Sequence, residues 1–213
     1  MRILITAGPT QEPIDAVRFI GNRSSGKMGA ALAAAVRRGG HSATIIVGPV
    51  SIAFPGIRRI DVRTSGQMLD AVMREFKEHD LLIMAAAVAD FRPKSFTPGK
   101  LSRQGTMMLE LEATADIVAE AGKLKRPDQR TVGFSLESQP DLERSRRKLM
   151  EKHLDLIVYN PAETIGSDMI AATLLYADGR SEELRCRTKA EVADTLLERA
   201  TGLFAAPHQS PPQ

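Results

Sequence analysis

The sequence predicts a doubly wound α/β fold: a Rossmann-like, mostly parallel sheet with helices on both faces. The first sign is a series of short apolar runs, at 3–7, 41–47, 81–87 and 154–158, of the kind found as strands buried on both sides. The second is that segments of helical pattern separate the runs, at 27–38, 65–79, 115–124 and 141–153, a spacing that builds βαβ units with right-handed crossovers. The third is a glycine-rich turn, Gly21-Asn22-Arg23-Ser24-Ser25-Gly26-Lys27-Met28-Gly29, which opens the first of these helices.

Each element has a local reason. The first strand, 3–7, stops at Gly8-Pro9-Thr10, and the loop 11–22 is long for a βα connection. Long loops at the carboxyl ends of strands are where open α/β sheets bind ligands. The helix 27–38 ends at Gly39-Gly40, and strand 41–47 ends at Gly48-Pro49 with no acid to hold a ribose, which counts against a nicotinamide dinucleotide site. Residues 57–62 alternate as a third strand, and Ser65 is the expected N-cap of helix 65–79. Strand 81–87 leads into Ala85-Ala86-Ala87-Val88-Ala89-Asp90-Phe91-Arg92-Pro93, small residues that permit close approach, followed by an acid and a base.

From 93 to 106 the chain is polar and carries Lys94, Lys100 and Arg103, so it reads as a mobile basic flap able to close over an anionic ligand. Residues 107–112 alternate as a strand, and Thr114-Ala115-Asp116-Ile117-Val118 opens a capped helix that runs to 124. Strand 131–137 and a charged helix, 141–153, follow; the helix puts Lys148 and Lys152 one turn apart. The last parallel strand, 154–158, runs into Tyr159-Asn160-Pro161. A hairpin of strands 173–176 and 183–187 turns at Ala177-Asp178-Gly179-Arg180, with Cys186 as packing. Helix 189–203 closes the fold. The expected organisation is a single domain over 1–204, with the flap, a small hairpin extension at 172–187 for dimerisation and a flexible tail at 205–213.

Composition narrows the function. The 213 residues carry a net charge of only +3, and the basic residues are spread rather than blocked. With no Trp, two Tyr and seven Phe, there are few platforms for base stacking, so nucleic acid is not an expected partner. One cysteine rules out an internal disulfide framework and fits a reducing compartment. The start does not read as a signal peptide, and no apolar run approaches the ~20 residues of a membrane helix. A soluble, cytoplasmic protein without a membrane partner is expected.

The glycine-rich turn describes an anion site, since its backbone N–H groups and helix N-terminus face the ligand while Asn22, Arg23, Ser24 and Ser25 add donors. It nearly spells a P-loop, but Met28 stands where a Ser or Thr would hold Mg²⁺. A turn that serves only helix–strand packing is the plainer reading. The four histidines are scattered, no G-x-S-x-G is present, and neither tyrosine belongs to a Tyr-x-x-x-Lys pair. A phosphate turn, an acid at a strand end, a basic flap and a lysine pair remain, the equipment of a nucleotide-dependent ligase or transferase.

The run Ile5-Thr6-Ala7-Gly8-Pro9-Thr10-Gln11-Glu12-Pro13-Ile14-Asp15, continuing through Val17-Arg18-Phe19-Ile20 and Asn22 to Gly29, closely resembles the opening of the phosphopantothenate–cysteine ligase family. Ala86-Ala87-Val88-Ala89-Asp90-Phe91-Arg92, Asp116-Ile117-Val118, Val132-Gly133-Phe134 and Leu154-Asp155-Leu156-Ile157-Val158 extend the likeness over nearly the whole chain. The resemblance implies a ligase of coenzyme A biosynthesis that joins 4′-phosphopantothenate to L-cysteine through an acyl-cytidylate, with CTP going to CMP and pyrophosphate. It implies catalytic roles for Asn22, on the acyl carbonyl in the second step, and for the flap residue Lys100 in the first. It also implies nucleotide contacts at Met84, Ala85, Ala86, Asp90, Lys100, Ala115, Asp116, Ile117, Val118, Phe134, Lys148 and Lys152, together with a homodimer. Mg²⁺ would be held mainly by the triphosphate, with Asp90 the one nominated protein ligand. For the substrate phosphate the turn residues Gly21, Arg23, Ser24, Ser25, Gly26 and Lys27 are candidates, as is Arg18.

The family is usually fused behind a flavin-dependent decarboxylase, whereas this chain starts at the synthetase motif and so reads as a stand-alone form with that decarboxylase a separate partner. Three positions depart from the family pattern. The flap reads Lys100-Leu101-Ser102-Arg103 in place of Lys-x-Lys-Lys, Asn160-Pro161 replaces Asn-Asp, and Gly166-Ser167-Asp168-Met169 lacks the usual asparagine after the acid. ATP in place of CTP stays open, as do an NAD(P)-binding oxidoreductase and a nucleotide-binding protein without turnover.

Overall fold

The computed structural model describes residues 1–103, 105–137, 141–161 and 169–205, apart from the side chains at 137, 161, 170 and 186. The expectations for the tail beyond 205, the loop 166–168 and the packing of the Cys186 side chain lie outside the described residues.

Alternation builds the first element. In β1 (Arg2–Ala7), Ile3, Ile5 and Ala7 join one apolar cluster and Leu4 another, so the strand is buried on both faces. Two short strands follow, β2 (Gln11–Pro13) and β3 (Phe19–Gly21), which pair antiparallel as a ribbon inside the long loop. Then come α1 (Lys27–Arg38), β4 (Ser42–Val47), β5 (Arg58–Asp61), α2 (Ser65–Glu75) and β6 (Leu81–Met84). A second ribbon pairs β7 (Phe91–Pro93) with β8 (Leu111–Ala113). The chain continues through α3 (Ile117–Leu124), β9 (Arg130–Glu137), α4 (Leu142–Glu151), β10 (Leu156–Pro161), β11 (Met169–Tyr176), β12 (Ser181–Thr188) and α5 (Lys189–Gly202).

The main sheet has eight strands in the order β12-β11-β10-β9-β6-β1-β4-β5. From β10 to β5 all pairings are parallel, and in chain order those six strands read 3-2-1-4-5-6, the Rossmann arrangement. Helices α1 and α5 pack on one face, with Leu32, Val36, Val192 and Leu196 wholly buried against Ile3, Ile5 and Ile83. Helices α2 and α3 cover the other face, where Met68, Val72 and Ala121 meet Leu4, Ile46 and Leu82. Leu149 of α4 packs beside them on Leu154, Ile157 and Leu175. Strand order reverses between β1 and β6, so the crevice beyond their carboxyl ends is where this architecture binds ligands.

Several boundaries differ from expectation. Thr64, not Ser65, caps α2: its hydroxyl accepts from Gln67 N (3.2 Å) while Gln67 Oε1 accepts from Thr64 N (3.2 Å), a reciprocal capping box. Ser65 N instead donates to the buried carboxylate of Glu12 (2.7 Å), which ties the first ribbon to that helix N-terminus. Helix α2 stops at Glu75 and is followed by a 3₁₀ turn. Asp116, not Thr114, caps α3, its Oδ1 accepting from Ala119 N at 3.1 Å.

Strand β6 ends at Met84 rather than at 87. Beyond it the chain crosses to the neighbouring loop, with Ala87 N donating to Gly8 O (2.8 Å) and Thr10 N to Ala87 O (3.3 Å). The strand expected over 107–112 is confined to 111–113, because a partner strand lies opposite those residues alone. The hairpin is longer than expected, and it extends the main sheet: β11 runs antiparallel to β10.

Candidate active site

Helix α1 begins beside the end of β1, and two glycines make that approach. Gly26, at the N-cap, has φ 74°, the left-handed region that favours glycine. A Cβ on Gly29 would lie 2.2 Å from Ala7 Cβ, so the first turn of the helix presses directly on the last residue of β1. That turn carries no acidic residue, and Gly26 gives it no side-chain cap. Ser24 and Ser25 reach back only weakly, accepting from Gly26 N and Lys27 N at 3.4 Å each.

The opposite wall is the segment after β6. Two threonine hydroxyls from the β1 side hold it: Thr6 Oγ1 accepts from Ala86 N (3.2 Å) and Thr10 Oγ1 from Ala89 N (2.9 Å). Thr114 Oγ1 donates to Ala89 O (2.7 Å), bringing the start of the α3 segment to the same edge. Asn22 joins the two walls, since its Nδ2 donates to Val88 O at 2.7 Å. The sequence singled out Asn22 and Ala85-Ala86 separately; Asn22 and Val88 are 66 positions apart, and the switch point makes them neighbours.

The remaining candidates divide into two groups. Asp116 and Lys152 pair with each other, Nζ to Oδ2 at 2.8 Å, and Lys148 Nζ donates to Ser135 Oγ (3.3 Å) next to Phe134. Met84 is buried, Ala85, Ala86, Val118 and Phe134 are half-buried, and Asp90 and Ala115 are exposed. Ile117, also nominated, is buried against the β6 side of the sheet and serves the core. Gly21, Arg23 and Lys27 are exposed along the turn.

Arg18 is placed elsewhere. It sits at the tip of the β2–β3 ribbon, while Gly21 and Asn22 are at its base. Instead it lines a cavity of about 580 Å³ with Val17, Lys100, Leu101, Ser102, Arg103 and Met107. Its guanidinium holds Asp15, donating from Nε at 2.9 Å, and keeps that carboxyl well below the usual carboxylate range; backbone N–H groups of Arg18, Val17 and Leu101 add to the effect against the cost of burial. Sequence reading missed Asp15 and the two threonines. An Asp three residues before an Arg in a turn, and Thr at a strand's carboxyl end, were the available signals.

These features define a class: a doubly wound α/β domain with a glycine-rich turn and a helix N-terminus at its topological switch point. More narrowly, the chain belongs to the DNA/pantothenate metabolism flavoprotein C-terminal domain family, whose model matches residues 1–203. It is 40% identical over 205 residues to a cysteine/cysteine sulfinic acid decarboxylase of an unknown prokaryotic organism, covering 93% of this chain and 57% of that protein. Identity is 41% over 208 residues to the coenzyme A biosynthesis bifunctional protein CoaBC of Bacillus subtilis (strain 168), covering 94% of this chain and 51% of that one. The chain thus spans about half the length of the curated relatives it matches. The crystal structure of the C-terminal domain of a coenzyme A biosynthesis bifunctional protein CoaBC superposes with a TM-score of 0.84 at 36% identity, covering 96% of this chain and 95% of that one.

Proposed function

We propose that this domain is a ligase of coenzyme A biosynthesis that joins 4′-phosphopantothenate to L-cysteine, with CTP as the activating nucleotide. The observation that carries the reading is the Asn22–Val88 hydrogen bond, which sets an amide side chain between the anion turn and the segment after β6. The names of the longer CoaBC relatives and the structural match to their C-terminal domain support it.

In the first step a carboxylate oxygen of phosphopantothenate attacks the α-phosphorus of CTP, the P–O bond to the β-phosphate breaks, and pyrophosphate leaves. A carboxylate and a triphosphate must come together, so basic side chains that approach the triphosphate lower the barrier most; Lys100 on the flap has that role. In the second step the cysteine amine attacks the acyl carbon, the bond to CMP breaks, and the amine's proton is lost to solvent. Asn22 orients the acyl carbonyl there as a neutral donor.

Among the described residues no group of three or more His, Cys, Asp or Glu could hold a metal, and Asp90 is an exposed acid at this edge. One carboxylate with phosphate oxygens is enough for Mg²⁺. Bound so, Mg²⁺ would draw charge from the leaving pyrophosphate.

The decisive experiment compares CTP and ATP for pyrophosphate release that depends on phosphopantothenate, then for product formation on adding cysteine. Release with CTP, followed by cysteine-dependent CMP, is expected. Failure with both nucleotides would rule the ligase out.

A further inference from the structure

The ribbon tip and the flap meet at one covered carboxylate. The Asp15 side chain is wholly buried, yet it is charged and its acceptor sites are filled. Oδ1 accepts from Val17 N (2.8 Å) and Arg18 N (2.7 Å), while Oδ2 accepts from Arg18 Nε (2.9 Å) and from Leu101 N (3.1 Å). Arg18 Nη2 in turn donates to Leu101 O at 2.8 Å. Both main-chain polar groups of Leu101 are therefore held by side chains of the ribbon, 86 residues away in sequence from Asp15. Thr97 N donates to Ile14 O (3.2 Å), a second tie between the same two segments.

Leu101 directly follows the flap lysine. Its N–H belongs to the planar peptide unit that includes the Cα of Lys100, so fixing that N–H fixes the point from which the lysine side chain starts. Lys100 and Arg18 line the same cavity. A contact that served only to tether the loop could use any backbone–backbone pair, as Thr97 and Ile14 do. Burying an aspartate to grip this one peptide costs desolvation of its charge, which the half-exposed Arg18 offsets, and the grip falls where a lysine must be aimed.

We propose that Asp15 is a positioning residue for Lys100: by holding the Leu101 peptide directly and through Arg18, it sets where the flap ammonium meets the triphosphate. The proposal rests on the ligase reading above. Its consequence is specific to one half-reaction, because Lys100 acts on formation of the acyl-nucleotide and Asn22, on the far side of the ribbon, acts on its consumption.

The test is Asp15→Asn in the full chain. The amide keeps the size of the side chain but sets an NH₂ group against two donors, Leu101 N–H and the guanidinium at the Oδ2 place or the N–H groups of Val17 and Arg18 at the Oδ1 place. Two readouts are taken beside the thermal unfolding midpoint. The first is the pyrophosphate burst with CTP and phosphopantothenate, against the cysteine-dependent decay of intermediate that has already accumulated. The second is the rate of trypsin cleavage at Lys100–Leu101, against Lys189–Ala190 as a reference bond.

The burst should fall on the order of 10²-fold, as expected for a misplaced catalytic group, while the decay keeps its parental rate. Cleavage at Lys100–Leu101 should rise about tenfold or more, tracking the population of open flap, with the reference bond unchanged. Equal loss in both half-reactions, or faster cleavage at both bonds with a lowered midpoint, would make Asp15 merely structural and overturn the proposal. If the parent chain releases no pyrophosphate, the ligase reading fails; the trypsin readout still stands alone, and unchanged cleavage in Asp15→Asn would show that Asp15 does not hold the flap.

Discussion

At the scale of single residues, the site depends on groups whose chemistry cannot be exchanged for something similar. Asn22→Asp replaces an N–H donor with an oxygen facing the Val88 carbonyl, so the side chain is repelled from its place. That variant should still release pyrophosphate but form product with cysteine slower by on the order of 10²-fold, in a stopped assay that follows both. Lys100→Gln removes the charge itself, and the pyrophosphate burst should vanish; a burst of parental size would remove Lys100 from the chemistry. The carboxyl of Asp15 makes a prediction about pH. Its value is lowered from 3.8, mainly by Arg18, so the stability it contributes is fully present above about pH 4 and is lost only as pH falls through the depressed value. Hydrogen exchange at the Leu101 amide should accordingly stay slow, relative to its intrinsic rate, from neutral pH down to that point. The residue types were legible in the sequence: Asn22, Lys100 and Asp90 stand out as polar groups beside glycine and small residues. Asp15 was not, because its importance comes from Leu101, a residue with no chemistry of its own.

Among the elements, α1 carries the site because it is pressed on β1. Wholly buried Leu32 and Val36 contribute about 2 kcal/mol each to that contact, and Gly29 allows it by having no side chain to collide with Ala7. Gly29→Val should destabilise the fold by about 1–3 kcal/mol in urea unfolding and also displace the anion turn, weakening nucleotide binding; a variant of parental stability would show that the helix moves away freely. Strands and helices of the sheet core were readable from periodicity, since each buries an apolar set at spacing 2 or 3.6. Of the two ribbons only β8 was readable in part, since 111–112 lie within the stretch read as an alternating strand. Strands of three residues pair where topology sets a partner opposite, and Gln11–Pro13 has no alternation to announce it.

On the scale of the whole molecule, the uncovered surface is uneven. Val17, Phe19, Phe91, Phe96, Met107 and Leu111 are exposed along the two ribbons and the flap, while the outer hairpin strand presents Glu183, Arg185 and Arg187, charges that discourage edge pairing. If two copies pair, as proposed for this family resemblance, the ribbons rather than the hairpin are the surface that gains by burial. Sedimentation of the parent chain should give a dimer, and Phe19→Glu with Phe91→Glu should shift it toward monomer; a hairpin variant such as Arg185→Glu should not. A dimer indifferent to the ribbon changes would move the interface elsewhere.

The sequence by itself determined the doubly wound class, the order of the core elements and the chemical types at the anion turn, because these follow from local periodicity and from what glycine, serine and asparagine can do in one turn. Tertiary structure alone decided which of these residues meet. Asn22 reaches Val88 because strand order reverses between β1 and β6, and Asp15 reaches Leu101 because a ribbon and a flap fold onto each other. No local pattern encodes a contact across 66 or 86 residues; it exists only once the sheet has set the distance between chain segments.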